Sequence, residues 1–170
     1  AMFRFDKLVE QWAKIYKPMQ HDDSANSKNK RFFGLNSIGN IPDFVKTLPT
    51  NGSPSVGMVT HIDGKISDAK YMYPDYKLYF FVKCPTDAGK DSIKDTETKQ
   101  ECMDHALKFV AWLLKQKSEG TTGVDHLNTD SIECYTVGPF FNNWFAAYLY
   151  IQNIEPISRC VNPADYIEGV

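Results

Sequence analysis

Residues 131–154, SIECYTVGPFFNNWFAAYLYIQNI, constrain the fold of this chain more than any other stretch. Gly138-Pro139 and Asn142-Asn143 favour turns, so two strands joined by a turn are predicted. The incoming arm alternates Ile132, Cys134 and Thr136 with Glu133, Tyr135 and Val137. The outgoing arm sends Phe145, Ala147, Leu149 and Ile151 to one face, and Trp144, Ala146, Tyr148 and Tyr150 to the other. A half-exposed strand alternates apolar with charged residues, and this arm carries no charge before Glu155. Both of its faces therefore want cover. A helix of the same chain can supply one cover; the other is expected from more chain or from another molecule.

The length of 170 residues fits one domain over residues 2–170, with Ala1 read as an added residue ahead of Met2. Composition is globular, at 42% hydrophobic and 24% charged, and the 14% aromatic residues concentrate in strand-like segments. A net charge of −2 gives no bulk field to attract nucleic acid or a membrane. The one basic run, Lys28-Asn29-Lys30-Arg31, is read as a solvated loop. No apolar run reaches the ~18 residues of a membrane span. With charges at Arg4, Asp6 and Lys7, no signal peptide and a cytoplasmic protein are expected. Cys84, Cys102, Cys134 and Cys160 form no CxxC pair and are expected as free thiols without zinc. Asn51-Gly52-Ser53 matches a glycosylation sequon and is read as a turn.

Phe5, Leu8, Val9, Trp12, Ile15 and Tyr16 recur at helical steps, with Asp6 and Glu10 early, Lys14 and Lys17 late, and Pro18 as a stop. A polar loop over residues 19–31 leads to a strand at 31–38. A short helix over 43–48 follows, capped by Asn40, with Phe44, Val45 and Leu48 on its apolar side. Strands are predicted at 56–62 and 76–84, with Asp63-Gly64 as a turn between them. In the second of these, Leu78, Phe80, Val82 and Cys84 face one way, and Lys77, Tyr79, Phe81 and Lys83 the other. The connection over 63–75 is long enough to extend the hairpin. Residues 85–98 are polar, either loop or helix lead-in. A helix over 99–117 buries Cys102, Met103, Ala106, Phe109, Val110, Leu113 and Leu114, and Gly120 ends it. A last helical turn is predicted at Asn162-Pro163. The order predicts a two-layer α+β domain: a mainly antiparallel sheet with two amphipathic helices packed on one face.

Catalytic and ligand motifs fail on chemistry. An EF-hand loop around His61-Ile62-Asp63-Gly64 would begin at Val59 and close on Lys70, which repels calcium. Gly89-Lys90 lacks the first glycine of a phosphate loop, and Asp91 replaces its Ser/Thr. No GxSxG occurs, and Cys84 and Cys134 fall within strands. His21-Asp22-Asp23 could begin a metal site, but needs ligands from His61, His105 or His126, and His105 is placed on a polar flank. A small metal-dependent enzyme or ligand-binding protein using His21, Asp22 and Asp23 is therefore the alternative to a protein without catalytic residues, metal or cofactor. The cluster Tyr135, Phe140, Phe141, Trp144, Tyr148 and Tyr150 is expected as core or as a protein contact. Base stacking would want interleaved Lys and Arg, which the hairpin lacks.

The segments FRFDKLVEQWAKIY, FVKTLP, YKLYFFVKC, CMDHALKFVAWLLKQ and DSIECYTVGPFFNNWFAAYLYIQ resemble bacteriophage neck and tail-completion proteins of the head–tail joining or tail-terminator type. The xGPxxxNW hairpin ahead of an aromatic strand is similar to that of proteins from prophage-like elements. The resemblance implies an N-terminal helix, hairpin, long helix and final hairpin. It implies assembly into rings, no catalytic residues, and a cytoplasmic or virion location. The second face of the final hairpin, or the loop over residues 20–31, would then meet another subunit. A peptide-binding module using a sheet edge is a further alternative.

Overall fold

The computed structural model describes residues 2–24, 28–36, 39, 41–48, 52, 54–60, 63–87, 89–158 and 162–167. Its elements are α1 (Phe5–Ile15), β1 (Phe32–Leu35), α2 (Ile41–Val45), β2 (Ser55–Val59), β3 (Asp63–Ser67), β4 (Tyr71–Lys83), α3 (Ser92–Ser118), β5 (Glu133–Phe140), β6 (Trp144–Gln152) and β7 (Glu155–Pro156). The 13-residue β4 is the spine of a seven-stranded sheet. Along one of its sides lie β2 and β3 end to end; along the other lie β6 and β7. Beyond these, β1 pairs with β2 in parallel and β5 pairs with β6, giving the order β1-β2-β4-β6-β5. The class is α+β with a mainly antiparallel sheet, as the sequence leads one to expect.

Local chemistry sets the helix limits. α1 stops at Ile15 because Tyr16 turns to an extended ψ of 114° while its N–H still closes on the Trp12 carbonyl. Ile15 lies outside the buried stripe and is exposed. α3 begins at Ser92 rather than near Lys99, since the Asp91 side chain accepts the N–H groups of Ile93 and Lys94 at 3.0 and 3.2 Å. The expected polar loop over 85–98 therefore ends at Asp91. Gly120, at φ 72°, turns the chain after α3 and donates its N–H to the Lys117 carbonyl. Leu114 stays half out of the core, and Met103 and Val110 are only partly buried.

One face of the sheet carries α1 and α3. Phe5, Val9, Trp12 and Ala13 of α1 and Cys102, Ala106, Phe109 and Leu113 of α3 pack on Leu78, Phe80, Val82, Phe145, Ala147 and Leu149. Phe5 stacks on Tyr76 at 4.1 Å, while Trp12 meets Phe80 and Phe109 edge-on at 5.8 and 5.2 Å. The opposite face belongs to α2, which spans the parallel connection from β1 to β2. Ile41, Val45 and Leu48 close over Tyr79, Phe81, Trp144, Ala146 and Tyr148. Gly57 of β2 lets Leu35 lie flat on this face: a Cβ there would stand 2.9 Å from Leu35 Cδ1. The alternation assigned from sequence to β4 and β6 holds at every inward position. Of the two covers expected for the second face, more chain or another molecule, the middle receives the first: α2 closes over it.

Other boundaries shift for stated reasons. Asp63-Gly64 is no turn: Asp63 pairs with Asp75 and Gly64 with Pro74 inside the β3–β4 ladder. The reversal falls at Asp68 and Ala69, both left-handed at φ 53° and 52°. Here 63–75 does extend the hairpin, and β4 starts at Tyr71. The run Lys28–Arg31 is only partly solvated, since Arg31 is buried. Asn40, Asn51, Ser53, His61, Ile62 and Cys160, with the readings placed on them, lie outside the described residues. Asn162 caps a 3-10 turn at Pro163–Asp165, accepting the Ala164 N–H at 3.1 Å. Phe109 is fully buried between α1 and the sheet, so Phe109→Ala should destabilise the protein by about 3–5 kcal/mol in urea unfolding. A loss below about 1 kcal/mol would mean that α3 does not seat there.

Candidate functional site

The register of β4, β6 and β5 aligns Tyr79 with Tyr148 and Tyr148 with Tyr135. Their rings are 5.0 Å apart at each step, forming a three-tyrosine row across the face opposite α1 and α3. Burial grades outward along the row. Tyr79 and Tyr148 are inside, and Tyr135 is 51% exposed on β5. Burial and the neighbouring phenol push the hydroxyl pKa of Tyr79 up, and burial followed by Tyr135 pushes that of Tyr148 up to about 12. Tyr79 and Tyr148 are thus uncharged at neutral pH. Tyr150 hydrogen-bonds the Asp75 carboxylate, which with burial lifts it to about 12 as well.

Of the six residues proposed from sequence as an interface, two are unavailable to a partner: Trp144 is 2% exposed beneath α2, and Tyr148 is 8% exposed within the row. Phe140 packs on Phe81 and is partly buried, as is Tyr150. Tyr135 and Phe141 stand free, the latter 56% exposed with Lys46 Nζ 5.7 Å above its ring. Asn142 and Asn143 make the left-handed turn that lifts Phe141 away from the sheet, at φ 59° and 64°. What is open on this side is a strip along β5, and among the described residues β5 has no strand on its outer edge.

The histidines do structural work. His21 is buried, and its Nδ1 accepts the backbone N–H groups of Arg31 and Phe32 at 2.9 and 3.1 Å, fixing the entry to β1. Asp23 is held by Lys14 at 2.8 Å, and Asp22 accepts the Ser24 N–H at 3.0 Å. His21 and Asp23 thus point into separate contacts. Among the described residues, no group of three or more His, Cys, Asp or Glu side chains converges as a metal-binding set. His105, placed on a polar flank by its sequence neighbours, is buried instead. Its Nδ1 lies 2.7 Å from the Tyr16 hydroxyl and ties α1 to α3. Helical periodicity does put His105 beside Glu101 and Cys102, but only α1 decides that the flank is covered.

At the other end of the sheet a cleft of about 460 Å³ lies between the start of β4 and the turns after α3, lined by Tyr71, Tyr73, Asp125 and His126 among others. Lys117 at its wall is committed to the Leu127 carbonyl at 2.7 Å, and Asp125 and His126 approach each other at 3.7 Å. The Lys117 contact ties the end of α3 to the turn at Leu127. No helix among the described residues is long and apolar enough to cross a membrane. No protein-family model, curated protein or solved structure significantly matches the chain.

Burial lowers the pKa of both His21 and His105 below the ordinary 6.5; for His105 the nearby Glu101 opposes this. An Nδ1 that accepts two N–H groups cannot carry a proton, so His21 must be neutral in the native contact. The unfolded chain binds more protons just below pH 6.5 than the folded one. The stability these imidazoles contribute is complete above that pH and is lost as pH falls through their native values. The urea midpoint should therefore drop between about pH 7.5 and about pH 5, and His21→Asn, which keeps an acceptor without a titration, should flatten part of the slope. An unchanged slope in that variant would show that His21 does not hold the β1 entry.

Proposed function

We propose that this chain is a non-enzymatic assembly protein that joins copies of itself, or other protein subunits, through the strip along β5. The observation that carries the reading is a tyrosine row that is buried at Tyr79 and Tyr148 and ends half-exposed at Tyr135, on a strand without an outer neighbour among the described residues. Exposed aromatics anchored by buried ones suit a protein contact, because a ring already held by its neighbour loses little freedom on binding. The segment Glu133–Val137 carries no Lys or Arg, which disfavours a nucleic-acid partner on the same strip.

The finer reading is a prophage-encoded head–tail or tail-completion component, cytoplasmic until built into a particle. It is supported by the N-terminal helix, the β3–β4 hairpin, the long α3 and the final hairpin, the order that the resemblance implies. An open sheet edge also suits a peptide-binding module. The two readings differ in what the purified protein does alone. Light scattering over a wide concentration range should give a mass rising toward a whole multiple of the monomer, with Phe141→Ser and Tyr135→Ser each lowering it. A strict monomer at the highest concentration would contradict self-assembly and leave the peptide reading to be tested by strand-forming peptides.

A further inference from the structure

We infer that the occupant of the β5 edge is the β5 of a second copy, paired antiparallel about a two-fold axis at Tyr135 so that two sheets become one. This rests on the assembly reading and specifies its geometry. Five residues of β5, Glu133 to Val137, run in unbroken register with β6 before the irregularity that separates Val137 from Phe140. A two-fold at Tyr135 is the centre that lets all five pair among themselves. Glu133 then faces Val137 of the second copy, Cys134 faces Thr136, and Tyr135 faces Tyr135. Like charges directly opposite destabilise a strand pair, and this centre opposes none. The tyrosine row that ends at Tyr135 runs on into its own mirror, from Tyr79 of one copy to Tyr79 of the other.

The remaining strand edges are guarded along their length, whereas β5 carries its proline and its irregularity only after Val137. β3 carries Asp63 and Lys65 along an exposed strand, β7 is two residues long and includes Pro156, and β1 has four residues. Charges, prolines and short length are the usual means of blunting a free edge. Between Glu133 and Val137 there is no lysine and no proline. The helix-side row also fits: Cys134 and Thr136 are small, and Cys134 Sγ already rests 3.2 Å from Met103 Sδ of α3. Leu107, one turn further along α3, is exposed on that flank and gives an added strand an apolar ceiling.

The test uses the full chain. At a seam centred on Tyr135, position 136 of one copy lies opposite Cys134 of the other, at the Cβ separation of about 4.5–5.5 Å typical of cross-strand pairs. Thr136→Cys should therefore form a covalent dimer under mild oxidation, lost when Cys134→Ser is added. Tyr135→Lys should weaken the wild-type self-association by more than tenfold, while Tyr135→Phe keeps it; circular dichroism of each variant confirms folding. A wild-type oligomer that forms normally with Tyr135→Lys and gives no Cys134-dependent cross-link overturns the β5 seam and leaves assembly through another surface. A wild-type trimer or pentamer overturns it in the same way. A wild-type monomer at every concentration overturns both the seam and self-assembly.

Discussion

The nine-residue pairing of β4 with β6, from Asp75–Gln152 to Lys83–Trp144, is the contact on which the rest of this structure depends. Both strands are buried on both faces along most of that length, a situation more usual for parallel sheets than for hairpin-built ones. Two unlike covers make it possible. On one side, α1 and α3 bring aromatic and aliphatic stripes to Leu78, Phe80, Phe145 and Leu149. On the other, a five-residue helix and the turn after it suffice, because Phe81, Trp144 and Phe44 are bulky enough to fill the layer between them. Phe44 meets Phe81 at 5.8 Å and Phe33 at 5.3 Å, so the small helix is nailed down by rings.

A sheet covered in this manner has little apolar surface to offer along its middle. The uncovered part is displaced to one margin, where Glu133, Tyr135 and Thr136 of β5 stay exposed. Residues that the sequence groups together are thereby separated: Trp144 and Tyr148 are buried in the fold, and Tyr135 and Phe141 are exposed. The interface proposed along β5 would add main-chain hydrogen bonds and aromatic contacts without asking the core to rearrange.

What the sequence made legible was local. Period-two alternation assigns the faces of β4 and β6 correctly because each side chain follows from its own backbone. The stripes of α1 and of the middle of α3 are equally local. The first two turns of α3 carry no apolar stripe to read, and the decisive signal there was the capping Asp91. Asp63-Gly64 looked like a hairpin turn; its fate was decided by pairing with Pro74 and Asp75, which local preference does not see. The short helix was visible, but its position over the second face depends on a parallel crossover between β1 and β2. The tyrosine row likewise exists only through registers joining residues far apart in the chain, and His105 is buried only because Tyr16 arrives from α1.

Residue-resolved hydrogen exchange on dilute protein tests the central claim, that the chain itself covers both faces of the β4–β6 pair and leaves β5 as the open margin. The account predicts that amides of β4 and β6, those of Phe81 and Ala146 among them, exchange only through global unfolding. Amides on the outer edge of β5 should exchange orders of magnitude faster. Comparable rates in β5 and β6, or rapid exchange along the α2 side of β6, would contradict it.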